Sequence, residues 1–220
     1  MNYKELIYKN ALREIERIYK DSQYNKDVDL YRSYDIMNAI NDAQLNSKQW
    51  LIDNLLPFLD KEYTHFDIRD ILVLGAWYGI TGLLLREHLN PSVKIWNIDS
   101  DPECIHYANA LKNQIPNSEN NISITADAAE YFFDNADSYQ VIINTSCEHM
   151  DQDDIDLMLR TKNNETLVCL QNNNFHKEPE HINTYNSVDE FADSLKGIVI
   201  LWKGTLKPSD EYERYMVIGR

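Results

Sequence analysis

The chain has 220 residues, 43% of them hydrophobic and 11% aromatic, which is enough for one domain with a real core and excludes a disordered chain. Its formal net charge is −15 and its pI about 4.7. A surface this acidic repels phosphate, so nucleic acid and anionic membrane are both disfavoured as partners.

In chain order, residues 3–20 predict a helix, because Leu6, Ile7, Ala11, Leu12, Ile15, Ile18 and Tyr19 recur at helical spacing. Residues 21–34 are polar and turn-rich. A shorter helix is expected over 35–40 and another over 47–59, with Ser47 as its cap and Pro57 straining its end. These helices read either as a packing layer or as a lid over a substrate site, and residues 31–50 carry many polar groups: Tyr34, Asn38, Asn41, Asp42, Gln44 and Lys48.

The central feature follows, at residues 71–85. Four apolar residues end in Gly75, Gly79 and Gly82 come after it, and an apolar run begins. A continuously apolar stretch reads as a buried parallel strand. The glycines read as a tight turn into a helix whose free N–H groups face a nucleotide-type ligand.

Strands are then expected at 93–98, 122–125, 139–143 and 167–170. They alternate with helices at 83–89, from Asp101 to about 114, at 129–133, 153–159 and 187–195. Asp101 followed by Pro102 is a helix start, and Ser187 with Glu190 forms a capping box. Residues 198–206 and 212–218 predict a terminal hairpin. The fold class is therefore α/β: a Rossmann-like, doubly wound and mostly parallel sheet, with an antiparallel hairpin strand at its end and a helical layer at its start. Residues 1–66 are assigned to that layer and 67–220 to the sheet domain. The polar clusters at Gly75, Asp99, Asp127, 144–149 and 171–174 all fall at strand ends, where such sheets bind ligands. Cys104, Cys147 and Cys169 lie far apart and read as reduced thiols of a cytoplasmic protein. No secretory pattern opens the chain, and no apolar run is long enough for a membrane span.

From residue 69 onward the chain resembles the class I S-adenosylmethionine-dependent methyltransferases, with their seven-stranded sheet. Val73-Leu-Gly-Ala-Trp-Tyr-Gly79 is similar to the first motif, Asn97-Ile-Asp99 to the second-strand acid, Ala126-Asp127-Ala128 to the third motif and Ile143-to-His149 to the fourth. The resemblance implies S-adenosyl-L-methionine as cofactor. It would be held by Gly75, Ala76, Trp77, Gly79, Asp99, Ser100, Asp127, Ala128 and Asn144, with Asp99 on the ribose and Asp127 on the adenine amine. It also implies that Asn144, Glu148 and His149 border the transfer site. Val73 and Trp77 depart from the family, which places an acid and a glycine there, and the fourth motif is not that of DNA-base methyltransferases. The segments Ser-Cys-Glu-His, Gln-Asn-Asn-Asn and His181-Ile-Asn183 are also similar to a group of small methyltransferase-like proteins.

Other readings stay open. Asp127 can equally be a helix cap. Glu148 or His149 can take a proton from an acceptor, or cap the next helix. Residues 171–174 are a loop or a polar rim. His176 and His181 lack a legible third ligand, so no metal is expected, and Cys147 is not expected to be a nucleophile. The expected activity is methyl transfer to a small molecule or a protein group. The alternatives are transfer of the aminocarboxypropyl arm, or a non-catalytic protein that keeps the fold.

Overall fold

The apolar run at residues 71–74 becomes β1 (Asp70–Leu74), an interior strand of a seven-stranded sheet. The other strands are β2 (Lys94–Asp99), β3 (Asn121–Thr125), β4 (Val141–Asn144), β5 (Leu167–Asn173), β6 (Ile200–Leu206) and β7 (Arg214–Gly219). The helices are α1 (Tyr3–Tyr24), α2 (Tyr31–Ala39), α3 (Asp42–Glu62), α4 (Ile80–Arg86), α5 (Pro102–Lys112), α6 (Ala128–Asn135), α7 (Gln152–Thr161) and α8 (Val188–Ser194), with a 3-10 turn at Cys147–His149. This is a computed structural model that describes residues 2–26, 28–62, 68–113 and 115–220.

The sheet order is β3-β2-β1-β4-β5-β7-β6. β1 pairs in parallel with β2 and β4, β2 with β3, and β4 with β5. β7 runs antiparallel between β5 and β6, so the terminal hairpin closes one edge. The chain leaves β1 toward β3 on one side and returns to β4 on the other. The switch between β1 and β4 opens a crevice at the carboxyl ends of the strands.

The runs at residues 71–74, 141–143 and 167–170 are apolar throughout because both faces are covered. Ile71, Val73, Ile95, Val141 and Ile143 face a core shared with α1–α5. Leu72, Leu74, Ile98, Ile142 and Val168 face a second core with Phe132, Ile155, Leu159 and Phe191. Alternate side chains thus enter opposite layers, which erases the polar alternation of a half-exposed strand. α1 docks on the first layer by burying Ile7, Ala11 and Ile18. Tyr3 donates to Pro116 O at 2.7 Å and Asn10 to Leu111 O at 2.8 Å.

Three local expectations change. Ser47 lies inside α3, buried, and does not cap it; Asn41 Oδ1 accepts from Gln44 N at 2.8 Å and opens the helix. Pro57 does not end α3, which runs on to Glu62. The carbonyl that Pro57 leaves unpaired within the helix belongs to Asp53, an exposed residue. Gln171, Asn172 and Asn173 continue β5 and are buried, so they are strand rather than loop. Among the described residues no helix is long and apolar enough to cross a membrane.

Candidate active site

The turn after β1 is built from three residues in the left-handed region: Gly75 (φ 58°), Trp77 (φ 50°) and Gly79 (φ 67°). Gly75 is required by a neighbour in the protein itself. A Cβ there would lie 2.4 Å from Ser146 Oγ, and Ser146 and Thr145 both donate to Gly75 O. The turns after β1 and β4 therefore pack directly on each other. Trp77 holds an unfavourable conformation for a side-chain-bearing residue. Its N–H donates to Asp99 Oδ2 at 2.7 Å and its indole Nε1 to Asp35 Oδ2 at 3.1 Å. Asp99 Oδ1 accepts from Asp101 N at 3.0 Å. The second-strand acid thus ties the β1 and β2 turns together, with lone pairs to spare on both oxygens.

A cavity of about 820 Å³ lies over these turns. Its floor is made by Gly75, Ala76 and Trp77 after β1, Asp99 and Ser100 after β2, Asp127 and Ala128 after β3, and Glu148 and His149 after β4. Gln171 and Asn173 from β5 and Arg214 from β7 continue the wall. The roof comes from the first layer: Tyr31, Arg32 and Asp35 of α2 with Gln44, Ser47 and Lys48 of α3.

Two residues singled out in the sequence do not line this cavity. Gly79 is the N-cap of α4, in the left-handed conformation that glycine adopts without strain, and an added Cβ would make ordinary contact with Ala108 at 3.4 Å. Asn144 is fully buried; its Oδ1 accepts from Ser146 N at 3.0 Å and its Nδ2 meets Met150 Sδ at 3.1 Å, which shapes the turn after β4. Asp127 is in both places. It caps α6 by accepting from Ala129 N and Glu130 N, and it also lines the cavity. Of the polar residues noted in 31–50, Gln44 and Lys48 reach the cavity, whereas Tyr34, Asn38, Asn41 and Asp42 do not. Val73, at the family's acid position, is wholly buried in the core.

The site's charges are unusually enclosed. Glu148 is 3% exposed; its Oε1 accepts from Asn173 Nδ2 at 2.7 Å and lies 4.0 Å from Arg214, while its Oε2 has no partner. Lys48 donates to Gln44 Oε1 at 2.9 Å. Burial, reinforced by the positive Arg214, lowers its ammonium to about 7, against a smaller pull from Glu148. Asp35 accepts from the Tyr78 hydroxyl at 2.7 Å. Arg32 pairs with Asp101 at 2.7 Å and Glu103 at 2.5 Å, latching α2 onto the start of α5. Burial opposes its charge, but bonds with Tyr78, Asp101 and Glu103 hold the guanidinium above its ordinary pKa. Burial pushes all three thiols up, which leaves Cys104, Cys147 and Cys169 poor nucleophiles. His176 Nδ1 faces Thr184 Oγ1 at 2.5 Å, away from His181, whose ring instead meets that of His149 with centroids 4.8 Å apart.

Sequence reasoning missed Arg32, Asp35 and Arg214, and held Asn173 only within the open reading of residues 171–174. Arg214 carried a signal, since a lone arginine opening an apolar strand needs a buried counter-charge. Asn173 carried a weaker one, in amides that directly continue an apolar strand.

No protein-family model and no curated protein matches the chain. Solved structures do. The N-methyltransferase NodS from Bradyrhizobium japonicum WM9 is 13% identical with a TM-score of 0.62, over 83% of this chain and 98% of that one. Coclaurine N-methyltransferase, bound to N-methylheliamine and S-adenosylhomocysteine, is 14% identical with a TM-score of 0.56, over 77% and 72%. The N-terminal domain of EvdMO1, with S-adenosylhomocysteine bound, is 17% identical with a TM-score of 0.52, over 77% and 80%. With the strand order and its antiparallel seventh strand, these likenesses establish that the chain has the fold of the class I S-adenosylmethionine-dependent methyltransferases.

Proposed function

We propose that the protein is an S-adenosylmethionine-dependent methyltransferase acting on a small molecule. The observation that carries this reading is the cavity over the β1–β4 switch point. Its floor presents, strand by strand, the turn at Gly75–Trp77, the carboxylate of Asp99 and the carboxylate of Asp127. Its volume suits a nucleoside-type cofactor with a small acceptor beside it, and the roof of α2 and α3 favours a small acceptor over a protein chain. The residues fit the cofactor. Asp99 keeps acceptor capacity for ribose hydroxyls after taking two backbone donors. The acid missing at Val73 is supplied from α2 by Asp35, which is bonded to both Trp77 and Tyr78 of the same turn.

When bound, the cofactor supplies an electrophilic methyl group on a sulfonium. The chain's part is to exclude water, to set the acceptor in line and to take its proton. Glu148, Asn173 and Arg214 form the polar wall that orients an acceptor. Glu148 and His149 on that wall, and Lys48 from the roof with an amine largely neutral above pH 7, are the groups that can take the proton. Calorimetric titration with S-adenosylhomocysteine, against NAD, tests the cofactor. Saturable binding of the sulfur ligand alone is expected, and Asp99→Ala weakens it on the order of 100-fold through lost charge-assisted bonds. No binding of S-adenosylhomocysteine sinks the reading. Release of S-adenosylhomocysteine rather than methylthioadenosine during turnover distinguishes methyl from aminocarboxypropyl transfer.

A further inference from the structure

Glu148, His149 and His181 converge on the polar wall of the cavity, and one donor atom from each lies within 4.8 Å of the other two. The two imidazoles meet edge to face, at an interplanar angle of 83°. Each is oriented by the backbone. His149 Nδ1 lies 3.1 Å from Glu180 O and His181 Nδ1 lies 2.9 Å from Phe175 O. A carbonyl oxygen only accepts, so the proton of each neutral ring sits on Nδ1 and the lone pair on Nε2 is free. A metal-binding histidine is prepared in this way, with its second nitrogen held by a carbonyl that fixes the tautomer. The third group is Glu148. Its Oε1 is satisfied by Asn173, but its Oε2 is buried without any partner. An unpartnered carboxylate oxygen at this depth is costly, and the nearest guanidinium, 4.0 Å away, lies on the side of Oε1.

We propose that Glu148, His149 and His181 are the ligands of a divalent transition-metal site in the wall of the cavity. Two neutral nitrogens and one carboxylate suit Zn²⁺, Mn²⁺, Fe²⁺ or Co²⁺, and suit the all-oxygen preference of Ca²⁺ and Mg²⁺ poorly. Bonds of about 2.0–2.2 Å would bring the three donor atoms to roughly 3–3.4 Å from one another. Glu148 is buried and fixed, whereas His149 is exposed and His181 half-exposed, so the two rings supply that closure. Three protein ligands leave coordination positions open toward the cavity. An acceptor with an oxygen donor, such as a hydroxyl beside a second hydroxyl or a carboxylate, would fill them. That last role rests on the methyltransfer reading; the metal site does not.

The test uses the full chain, stripped with chelator and titrated with Co²⁺ and no cofactor, followed by visible absorption. Competition with Zn²⁺ and Mn²⁺ then ranks the metals. One equivalent of Co²⁺ is expected to bind with a Kd on the order of micromolar or tighter, with ligand-field bands of a mixed nitrogen and oxygen site. His181→Ala and Glu148→Gln are expected to weaken it at least about 100-fold, while His176→Ala retains it. Thermal melting of each variant shows whether it is folded, and His149→Ala gives a second ligand deletion at an exposed position. Absence of stoichiometric binding in the native protein overturns the proposal. So does binding that survives both histidine deletions, which would be adsorption to the acidic surface. S-adenosylhomocysteine is titrated separately, so loss of the metal site with the cofactor still bound sinks this proposal alone.

Discussion

Lys48 is a buried cation, and replacing it by methionine, close in length and uncharged, tests what that burial costs. Its ammonium falls from the ordinary 10.5 to about 7 because α3 carries it into the interior beside Arg214. In the unfolded chain the amine keeps its ordinary value. Between pH 7 and 10.5 the unfolded state therefore binds a proton that the folded state has released, and stability rises with pH. Below pH 7 both states are charged and the full penalty is present. At 1.36 kcal/mol per pH unit the penalty is on the order of 5 kcal/mol. Lys48→Met removes it. In urea denaturation with chelator present, the variant should be more stable than the native protein by several kcal/mol at pH 6.5. The advantage should shrink by about 3 kcal/mol by pH 9.5. Comparing the two proteins at each pH cancels every other titrating group. A difference that stays constant with pH would refute the reasoning, because Lys48 would then remain charged in the fold and be matched by Glu148.

Two further substitutions probe the roof and the turn. Arg32→Ala removes the link from α2 to Asp101 and Glu103. It should cost about 1–2 kcal/mol, speed amide exchange in α2 and weaken S-adenosylhomocysteine binding several-fold; unchanged exchange in α2 would show that the latch is idle. Gly75→Ala sets a Cβ 2.4 Å from Ser146 Oγ at a φ of 58°. It should lower stability by about 2–4 kcal/mol in thermal melts, and adding Ser146→Gly should recover the steric part while leaving about 1 kcal/mol of backbone strain. No recovery in the double variant would mean that the two turns do not press on each other.

The sheet was legible because its evidence is local and repeated. Short strand patterns end in Gly75, Asp99, Asn144 or Gln171, and Asp101-Pro102 and Ser187 announce their helices by chemistry that needs no partner; both aspartate and serine cap as expected. The cavity floor was legible for the same reason, since a strand end is visible in one dimension. The roof was not. Arg32, Asp35 and Lys48 sit on helices whose pattern leaves a packing layer and a lid equally open, and their roles come from Trp77, Asp101 and Arg214, between 42 and 166 positions away along the chain. Asn144 misled in the other direction. It stands at a motif position, but its side chain turns back to hold the backbone of Ser146. Ser47 misled because serine before an apolar stripe usually caps, whereas here Asn41 had already opened the helix. Gly79 stands at a motif position, yet it caps α4 outside the cavity lining.

The docking of α1 sets the order in which the protein can assemble. Tyr3 waits for Pro116, 113 positions later, and Asn10 for Leu111, 101 positions later. At about 5–20 residues per second, the first helix leaves the ribosome several seconds before either partner exists. Throughout that interval Ile7, Ala11 and Ile18 lack the α5 part of the core that covers them. The layer that roofs the cavity is thus synthesised before the sheet that it covers. The nascent chain exposes an apolar helical stripe to chaperones until β1, β2 and α5 have been made.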